Sequence, residues 1–156
     1  MPQFRTKRSV RHAAGDMFDL VADVDRYPEF VPFCRSMKVR KRVQDERGRP
    51  TMICEMTVAY KLIRETFTTR VTLDRPALQI NVDYLSGPFN RLENRWSFRP
   101  AEVGCDVEFY LSYEFQSRAL ALVMGAMFEA VFRRFADAFE HRADEIYADR
   151  RPPAST

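Results

Sequence analysis

The chain has 156 residues, of which 46% are hydrophobic, and a formal net charge of +3, which is the size and composition of one globular domain. Its longest apolar run, Ala119 to Phe128, is far shorter than the ~20 residues that a membrane-spanning helix needs. Three widely spaced cysteines and two histidines near opposite ends argue against a disulfide framework and against a metal centre. Because the N-terminus has no apolar segment behind its basic residues, we expect a cytoplasmic protein.

The first predicted elements are a strand and two short helical segments. The residues from Phe4 to Arg11 follow a short pattern with a period of two, which predicts a strand with a basic outer side. From Ala13 to Val24 the apolar positions recur at three and four residues, as on an amphipathic helix. The segment DRYPEFVPFC, which begins at Asp25, then predicts a short helix or turn.

Six further runs with a period of two follow, separated by turn residues, and they predict an antiparallel meander with one solvated face. The expected inward-facing residues start with Met37, Val39 and Val43 and end with the odd-numbered residues from Val107 to Phe115. Ser117 is the predicted N-cap of a final helix that runs to about Tyr147.

This order of elements predicts an α+β helix-grip fold. A seven-stranded antiparallel sheet with one apolar face needs a cover, and the final helix is the one long amphipathic element in the sequence. We therefore expect the sheet to curl around this C-terminal helix, with the two short helices placed between strands 1 and 2. The predicted domain covers residues 1–148, and residues 149–156 are expected to form a disordered tail.

Four segments in order along the chain resemble one known family, the coenzyme Q-binding START-domain proteins of the polyketide cyclase-like superfamily. They are VADVDRYPEFVPFC (Val21 to Cys34), FTTRV (Phe67 to Val71), GPFNRLENRWSF (Gly87 to Phe98) and AFEHRADEIY (Ala138 to Tyr147). One departure is Phe33, where related sequences often carry Trp or Gly, and Phe preserves an apolar surface there.

The resemblance implies binding of ubiquinone or a similar polyisoprenoid lipid, without chemical turnover, in support of respiratory electron transfer or quinone biosynthesis. Some bacterial members of the family are named ribosome association toxin, which implies contact with the large ribosomal subunit and a block of subunit association. The sequence leaves these two interpretations open.

The inward positions are rich in aromatic residues and methionine, which suits either an ordinary core or a ligand cavity with a soft lining. The predicted cavity residues are Met56, Tyr60, Phe67, Tyr84, Asn94, Trp96, Phe98, Phe109, Met124, Met127, Phe128 and Val131. Asn94 is the clearest polar residue among them. Its side chain is expected to bind either an oxygen of a quinone or a neighbouring backbone group.

Two further surfaces are predicted to be functional. The first is a cavity mouth or membrane contact formed by Tyr27, Phe30, Val31, Pro32 and Phe33, with a structural plug as the alternative. Gly87, Pro88 and Phe89 are expected to form a turn that faces the same mouth, with a plain hairpin as the alternative. The second is a basic strand that is either solvated or attracted to anionic lipid or ribosomal RNA, formed by Lys38, Arg40, Lys41 and Arg42. The helix start, Ala119 to Phe132, is apolar nearly all round, so it needs a second cover, either a membrane or a second copy in a homodimer.

Few ionisable residues occupy predicted inward positions, which argues against an enzyme. Glu65, Asp25 and Arg26 form no set of nucleophile, base and orienting group. We expect no catalytic residue, no metal and no required cofactor, with a hydrophobic lipid as the ligand. A cyclase or dehydratase remains the alternative. A lipid ligand would place the protein in the cytoplasm or peripherally at the cytoplasmic face of the inner membrane.

Overall fold

One antiparallel sheet contains the strands of the described residues. The computed structural model describes residues 3–147, except the side chains of Phe132 and Arg133. The predicted tail, residues 149–156, therefore lies outside the described residues. Across the sheet the strand order is β1-β7-β6-β5-β4-β3-β2. The strands are β1 (Gln3–Val10), β2 (Cys34–Gln44), β3 (Pro50–Tyr60), β4 (Ile63–Asp74), β5 (Gln79–Ser86), β6 (Phe89–Pro100) and β7 (Cys105–Phe115).

Two short helices connect the two edge strands, and one long helix covers the apolar side of the sheet. Helix α1 (Ala14–Ala22) and a 3₁₀ helix (Val24–Glu29) lie between β1 and β2. Helix α2 (Arg118–Ile146) follows β7. Its predicted N-cap is confirmed, because the Ser117 hydroxyl accepts a hydrogen bond from the backbone N–H of Leu120 at 3.1 Å. The predicted helix-grip architecture is therefore confirmed.

Alternation of buried and exposed residues follows the predicted period of two in most strands, with β2 as the exception. A β-bulge between Val39 and Lys41 inserts one extra residue into β2. Beyond the bulge, Arg42 stands opposite Met52 and donates a hydrogen bond to its sulfur at 3.2 Å. The prediction that Val43 faces inward is therefore wrong, and 40% of Val43 is exposed.

The two halves of α2 are held in different ways. Ion pairs and one hydrogen bond fasten its C-terminal half to β1, to the loop after β1 and to the 3₁₀ helix. The ion pairs join Arg8 to Asp137 (2.6 Å) and Glu140 (3.0 Å), and Arg142 to Glu29 (2.7 Å), and the hydrogen bond joins His12 Nε2 to Asp144 (2.7 Å). The N-terminal half packs onto the sheet through the buried side chains of Met124, Met127 and Phe128. This half is thus held chiefly by apolar packing, which is not directional.

Gly104 supplies a test of the turn between β6 and β7. Its backbone is left-handed (φ +80°), and a Cβ there would lie 1.9 Å from the carbonyl oxygen of Val10. Gly48 in the turn after β2 has a similar backbone (φ +77°), but open space surrounds its Cα. We expect Gly48→Ala to lower the free energy of unfolding by about 1–2 kcal/mol, the cost of a left-handed L-residue. Gly104→Ala should cost at least about 2 kcal/mol more, because the backbone of β1 must shift.

Urea unfolding of both variants, followed by circular dichroism, measures the difference. Equal midpoints for the two variants would contradict the close approach of Gly104 to β1.

Candidate functional site

A cavity of about 110 Å³ lies between α2 and the concave side of the sheet. Its wall combines residues of α1, the 3₁₀ helix, β2 to β7 and α2, and nearly all of them are apolar. The wall consists of Val21, Val24, Tyr27, Met37, Met56, Val58, Phe67, Thr69, Val71, Ile80, Val82, Leu92, Asn94, Trp96, Phe109, Leu111, Met127, Phe128, Val131 and Phe135. The cavity is therefore a site for an apolar group.

Most of the predicted cavity residues come together in this wall. Those that line the cavity are Met56, Phe67, Asn94, Trp96, Phe109, Met127, Phe128 and Val131. Four others lie elsewhere, because they occupy the ends of the sheet or face another element. Tyr60 packs against Phe33, the Tyr84 hydroxyl accepts a hydrogen bond from the backbone N–H of Phe89, Phe98 packs on Phe18 of α1, and Met124 is buried away from the cavity.

Sequence reasoning missed the aliphatic part of the wall. Residues such as Val71, Ile80 and Leu111 share the inward parity of their strands and line the cavity. Their positions in the alternation predict that they face inward, but the predicted set of cavity residues consisted mainly of aromatic residues and methionine. Phe135 completes the wall from α2, and its ring centroid lies 5.8 Å from that of Trp96.

Asn94 has both of its side-chain groups engaged by the protein. Its amide nitrogen donates to the backbone oxygen of Tyr110 at 2.9 Å, and its amide oxygen accepts from the indole N–H of Trp96 at 3.2 Å. Of the two roles expected for Asn94, these bonds favour the backbone interaction. Their effect is to orient the Trp96 ring along the cavity wall.

The cavity offers no group suited to proton transfer at neutral pH. Tyr27 is the ionisable residue of the wall, its hydroxyl donates to the backbone oxygen of Val21 at 2.5 Å, and burial raises the pKa of the phenol well above its usual range. Asp25 pairs instead with Arg42 at 2.7 Å on the surface, and Glu65 lies outside the wall. An acid or base for catalysis is therefore missing from the described cavity wall.

The predicted mouth residues form packed structure. Tyr27 and Phe30 place their ring edges on Phe139 of α2 at centroid distances of 5.4 and 5.0 Å. Phe33 has a left-handed backbone (φ +63°), and its carbonyl oxygen accepts from the N–H of Ala59. Val31 and Pro88 are buried, and Pro32 and Gly87 are half-buried.

Phe89 was predicted to border a cavity mouth. In the structure it lies instead at the centre of an aromatic cluster. This cluster comprises Phe67, Tyr84, Tyr113, Phe115 and Phe128, with ring centroids 4.9 to 6.0 Å from that of Phe89. Four of these contacts are edge-to-face and the fifth, with Phe115, is stacked. Such aromatic packing stabilises the end of the sheet next to the start of α2. The arrangement agrees with the hairpin alternative for Gly87, Pro88 and Phe89.

The predicted basic residues lie on an exposed edge strand. Arg40 forms a two-point contact with Glu55 (both 3.1 Å), and Arg42 pairs with Asp25. Lys38 and Lys41 are exposed on the same strand. Lysines on an edge strand prevent pairing with a second sheet. The lysines of β2 therefore have a structural role that requires neither a lipid nor an RNA partner.

A wider depression of about 860 Å³ lies on the outer side of the sheet. Its lining carries both signs of charge, including Arg5, Lys7, Arg95, Glu93 and Glu108. Because the charges offset one another, this surface indicates no single class of ligand.

The described residues offer neither a metal cluster nor a membrane-spanning helix. No three His, Cys, Asp or Glu side chains within residues 3–147 are placed to hold a metal ion together. Within the same residues no helix has the length and apolarity needed to cross a bilayer.

Comparison with known proteins identifies similar sequences with two kinds of name. The family model for polyketide cyclase / dehydrase and lipid transport matches residues 10–140. The ribosome association toxin RatA of Vibrio cholerae is 35% identical over 150 residues, which are 96% of this chain and 100% of that protein. The mitochondrial coenzyme Q-binding protein COQ10 of Drosophila melanogaster is 29% identical over 140 residues, which are 87% of this chain and 56% of that protein.

Solved structures share the fold. The solution structure of the 18 kDa protein CC1736 from Caulobacter crescentus superposes with a TM-score of 0.77 at 32% identity, covering 95% of this chain and 99% of that one. A Streptomyces aromatase/cyclase superposes with a TM-score of 0.72 at 18% identity, covering 92% and 93%. The second likeness concerns the fold alone. Together the comparisons confirm the resemblance that the four sequence segments indicated.

The three buried thiols supply a test of this core. Burial raises the pKa of Cys34, Cys54 and Cys105 from 9.0 to about 11. Because the thiolate is the reactive form, we expect no reaction of the native protein with a thiol reagent such as DTNB at pH 8, and reaction of all three thiols in urea.

The same shifts make stability depend on pH. Since the folded protein retains these protons longer than the unfolded chain, the free energy of unfolding should fall as the pH rises from about 9 through about 11. Urea midpoints measured across that range check the sign, and a rise in stability would contradict it.

Proposed function

Because the chain belongs to the polyketide cyclase / dehydrase and lipid transport family, we propose that it binds ubiquinone or a similar polyisoprenoid lipid in the cavity under α2, without chemical turnover. The observation that carries this proposal is the apolar cavity wall, in which the polar side chains are Thr69, Asn94 and the phenol of Tyr27. The name of the Drosophila relative, a coenzyme Q-binding protein, supports a quinone as the ligand.

The size of the cavity implies that the ligand enters by displacing part of α2. Ligand sites in proteins usually measure about 300–1,000 Å³, whereas this cavity measures about 110 Å³. Met127, Phe128 and Val131 of α2 close it from above. Their packing on the sheet would be replaced by packing on the ligand, so an outward shift of this half of α2 exchanges one apolar contact for another.

The energetics favour a lipid tail over a polar metabolite. Each buried CH₂ contributes about 0.8 kcal/mol, so an isoprene unit of five carbons contributes several kcal/mol in this wall. A charged substrate would lack any partner there. The ion pairs of Arg8 and Arg142 and the hydrogen bond between His12 and Asp144 would hold the C-terminal half of α2 in place while the other half moves.

The absence of an acid or base from the described cavity wall supports binding without turnover. An aromatase or cyclase of this fold would need a group that moves protons at neutral pH. The phenol of Tyr27, the ionisable group in the wall, stays protonated because its pKa is raised by burial.

Ligand binding can be measured through Trp96, the single tryptophan of the chain, which lines the cavity. We expect a short-tailed ubiquinone to quench its fluorescence saturably in protein freed of lipid. Val131→Phe fills part of the cavity and should weaken binding at least tenfold. The larger side chain takes the space of about two methylenes of the ligand, which contribute about 0.8 kcal/mol each. A tenfold change in affinity corresponds to about 1.4 kcal/mol. Met127→Ala enlarges the cavity and should retain binding.

The matched control is Val103→Phe, the same substitution at an exposed position in the turn between β6 and β7. It should bind like the parent protein. Thermal unfolding identifies any variant that fails to fold. Quenching that does not saturate, or that is equal in the Val131 and Val103 variants, would refute binding in the cavity.

Contact with the ribosome is the second candidate function, and the name of the Vibrio cholerae relative favours it. Lys38 and Lys41, exposed on β2, are the residues that would attract ribosomal RNA. If this function holds, added protein should reduce the fraction of joined ribosomes in sucrose gradients, and Lys38→Glu with Lys41→Glu should abolish the effect.

The control carries the same charge change on the opposite edge strand, Arg5→Glu with Lys7→Glu. Unchanged subunit association at saturating protein would exclude this function. Equal loss in both double variants would indicate a general charge effect.

A further inference from the structure

Four large aliphatic side chains at one end of the protein are exposed to solvent. We call them the apolar tip: Leu62 (102% exposed), Leu122 (84%), Val123 (56%) and Leu85 (44%). A single exposed leucine is ordinary on a protein surface, but several at one end of a molecule indicate a contact surface.

The topology of the sheet places these residues at the same end. Neighbouring strands are antiparallel, so the β3–β4 turn, the β5–β6 turn and the junction of β7 with α2 all lie at one end. Gln116 joins two of these segments, because its backbone N–H donates to the carbonyl oxygen of Pro88 (3.0 Å) and its side chain donates to that of Gly87 (3.2 Å).

The local structure presents the tip to solvent. Leu62 follows Lys61, whose backbone is left-handed (φ +56°), a conformation that residues other than glycine rarely adopt. On α2, Leu122 and Val123 share an exposed stripe with Ala119 and Ala126 at three-four spacing. The residues of α2 that line the cavity begin at Met127, about one turn farther along the helix. The N-terminal half of α2 is thus apolar on both sides, as the sequence indicated.

Basic side chains accompany the tip. Lys61, Arg64 and Arg118 are exposed and lie within four residues of Leu62 or Leu122 along the chain. None of the three forms an ion pair with a described residue, whereas Arg8 and Arg142, farther from the tip, each do. The Lys61 ammonium lies 5.3 Å from the centroid of the Tyr60 ring, a contact that supplies no counter-ion. A cluster of aliphatic residues beside cations that form no described ion pair matches the interface of an anionic bilayer, which has acyl chains below and phosphates above.

We propose that the apolar tip docks on anionic lipid membranes, with Leu62, Leu122 and Val123 among the acyl chains and the three cations at the phosphate level. A second copy of the chain fits less well, because a symmetric contact would bring the same cations face to face. RNA also fits less well, because aliphatic side chains cannot stack on bases or bind phosphates.

This inference rests on the proposed function, since a bilayer is the source of a polyisoprenoid ligand. Docking would place the N-terminal half of α2 against the membrane, next to the cavity that it lines. The lipid bilayer would then be the partner of the proposed ligand site.

Co-flotation with vesicles tests the proposal. Full-length protein is mixed with phosphatidylcholine vesicles that contain or lack a third of phosphatidylglycerol. We expect flotation with the anionic vesicles and a large reduction at high salt. Leu62→Glu with Leu122→Glu should reduce partitioning at least tenfold. Reversal of Lys61 and Arg118 to Glu should reduce it strongly on anionic vesicles, because each basic residue near such a surface contributes about a factor of five.

The matched control is Ala101→Glu with Val103→Glu, which places the same two charges at exposed apolar positions in the β6–β7 turn, at the opposite end of the sheet. It should float like the parent protein. Equal loss in the tip and control variants, or no flotation of the parent protein, would overturn the proposal. The proposal would also be overturned if the parent protein formed dimers or bound ribosomes but did not bind vesicles, and the tip variants abolished that dimerisation or ribosome binding.

Quenching of Trp96 by a short-tailed ubiquinone in vesicle-free buffer separates this inference from the proposed function. The tip variants should retain quenching, because Leu62 and Leu122 do not line the cavity. Flotation without saturable quenching refutes the proposed ligand and leaves docking intact, whereas quenching without flotation refutes docking alone.

Discussion

The structure depends on one mismatch of size, between a wide apolar sheet and the single long helix available to cover it. Seven strands spaced about 4.8 Å apart make a sheet about 30 Å wide, whereas a helix with its side chains is about 10–12 Å across. The sheet must therefore curl around α2, and α1 with the 3₁₀ helix connects the edge strands β1 and β2. The cavity is the part of the concave side that none of these helices fills.

The way α2 is fastened follows from the distribution of charge along it. Its C-terminal half carries Asp137, Glu140, Arg142 and Asp144, each of which meets an oppositely charged side chain or His12 on another element. Its N-terminal half is built almost entirely of apolar residues. One helix thus combines a part that is fixed by specific pairs with a part whose packing a ligand can replace. We propose that the small cavity is the closed form of a larger binding site.

The proposed lipid site and the proposed membrane contact both involve the N-terminal half of α2. Met127 and Val131 face the cavity, while Leu122 and Val123 face solvent at the start of α2. A segment that is apolar all round costs solubility unless both sides find apolar partners. The sheet and ligand supply one partner, and we propose that the bilayer supplies the other. In this arrangement release from the membrane and closure of the cavity would be linked events.

Much of the fold was determined by the sequence alone, because periodicity reports directly on burial. The parity of strands such as β6 and β7, the N-cap at Ser117 and the final helix all agree with the structure. The parity of β2 failed beyond Val39, because a bulge depends on the pairing of two strands and leaves no mark in the period of one. Membership of the family was also readable, since four ordered segments carry it.

The site itself was decided only by the tertiary structure. Sequence placed Asn94 and Phe89 on apolar faces but could not identify their neighbours. In the folded protein the Asn94 side chain is hydrogen-bonded to Tyr110 and Trp96, and Phe89 packs inside an aromatic cluster. Which side chains border a cavity depends on how far the helix stands from each strand. That distance is set by the curl of the whole sheet, and no local pattern of residues encodes it.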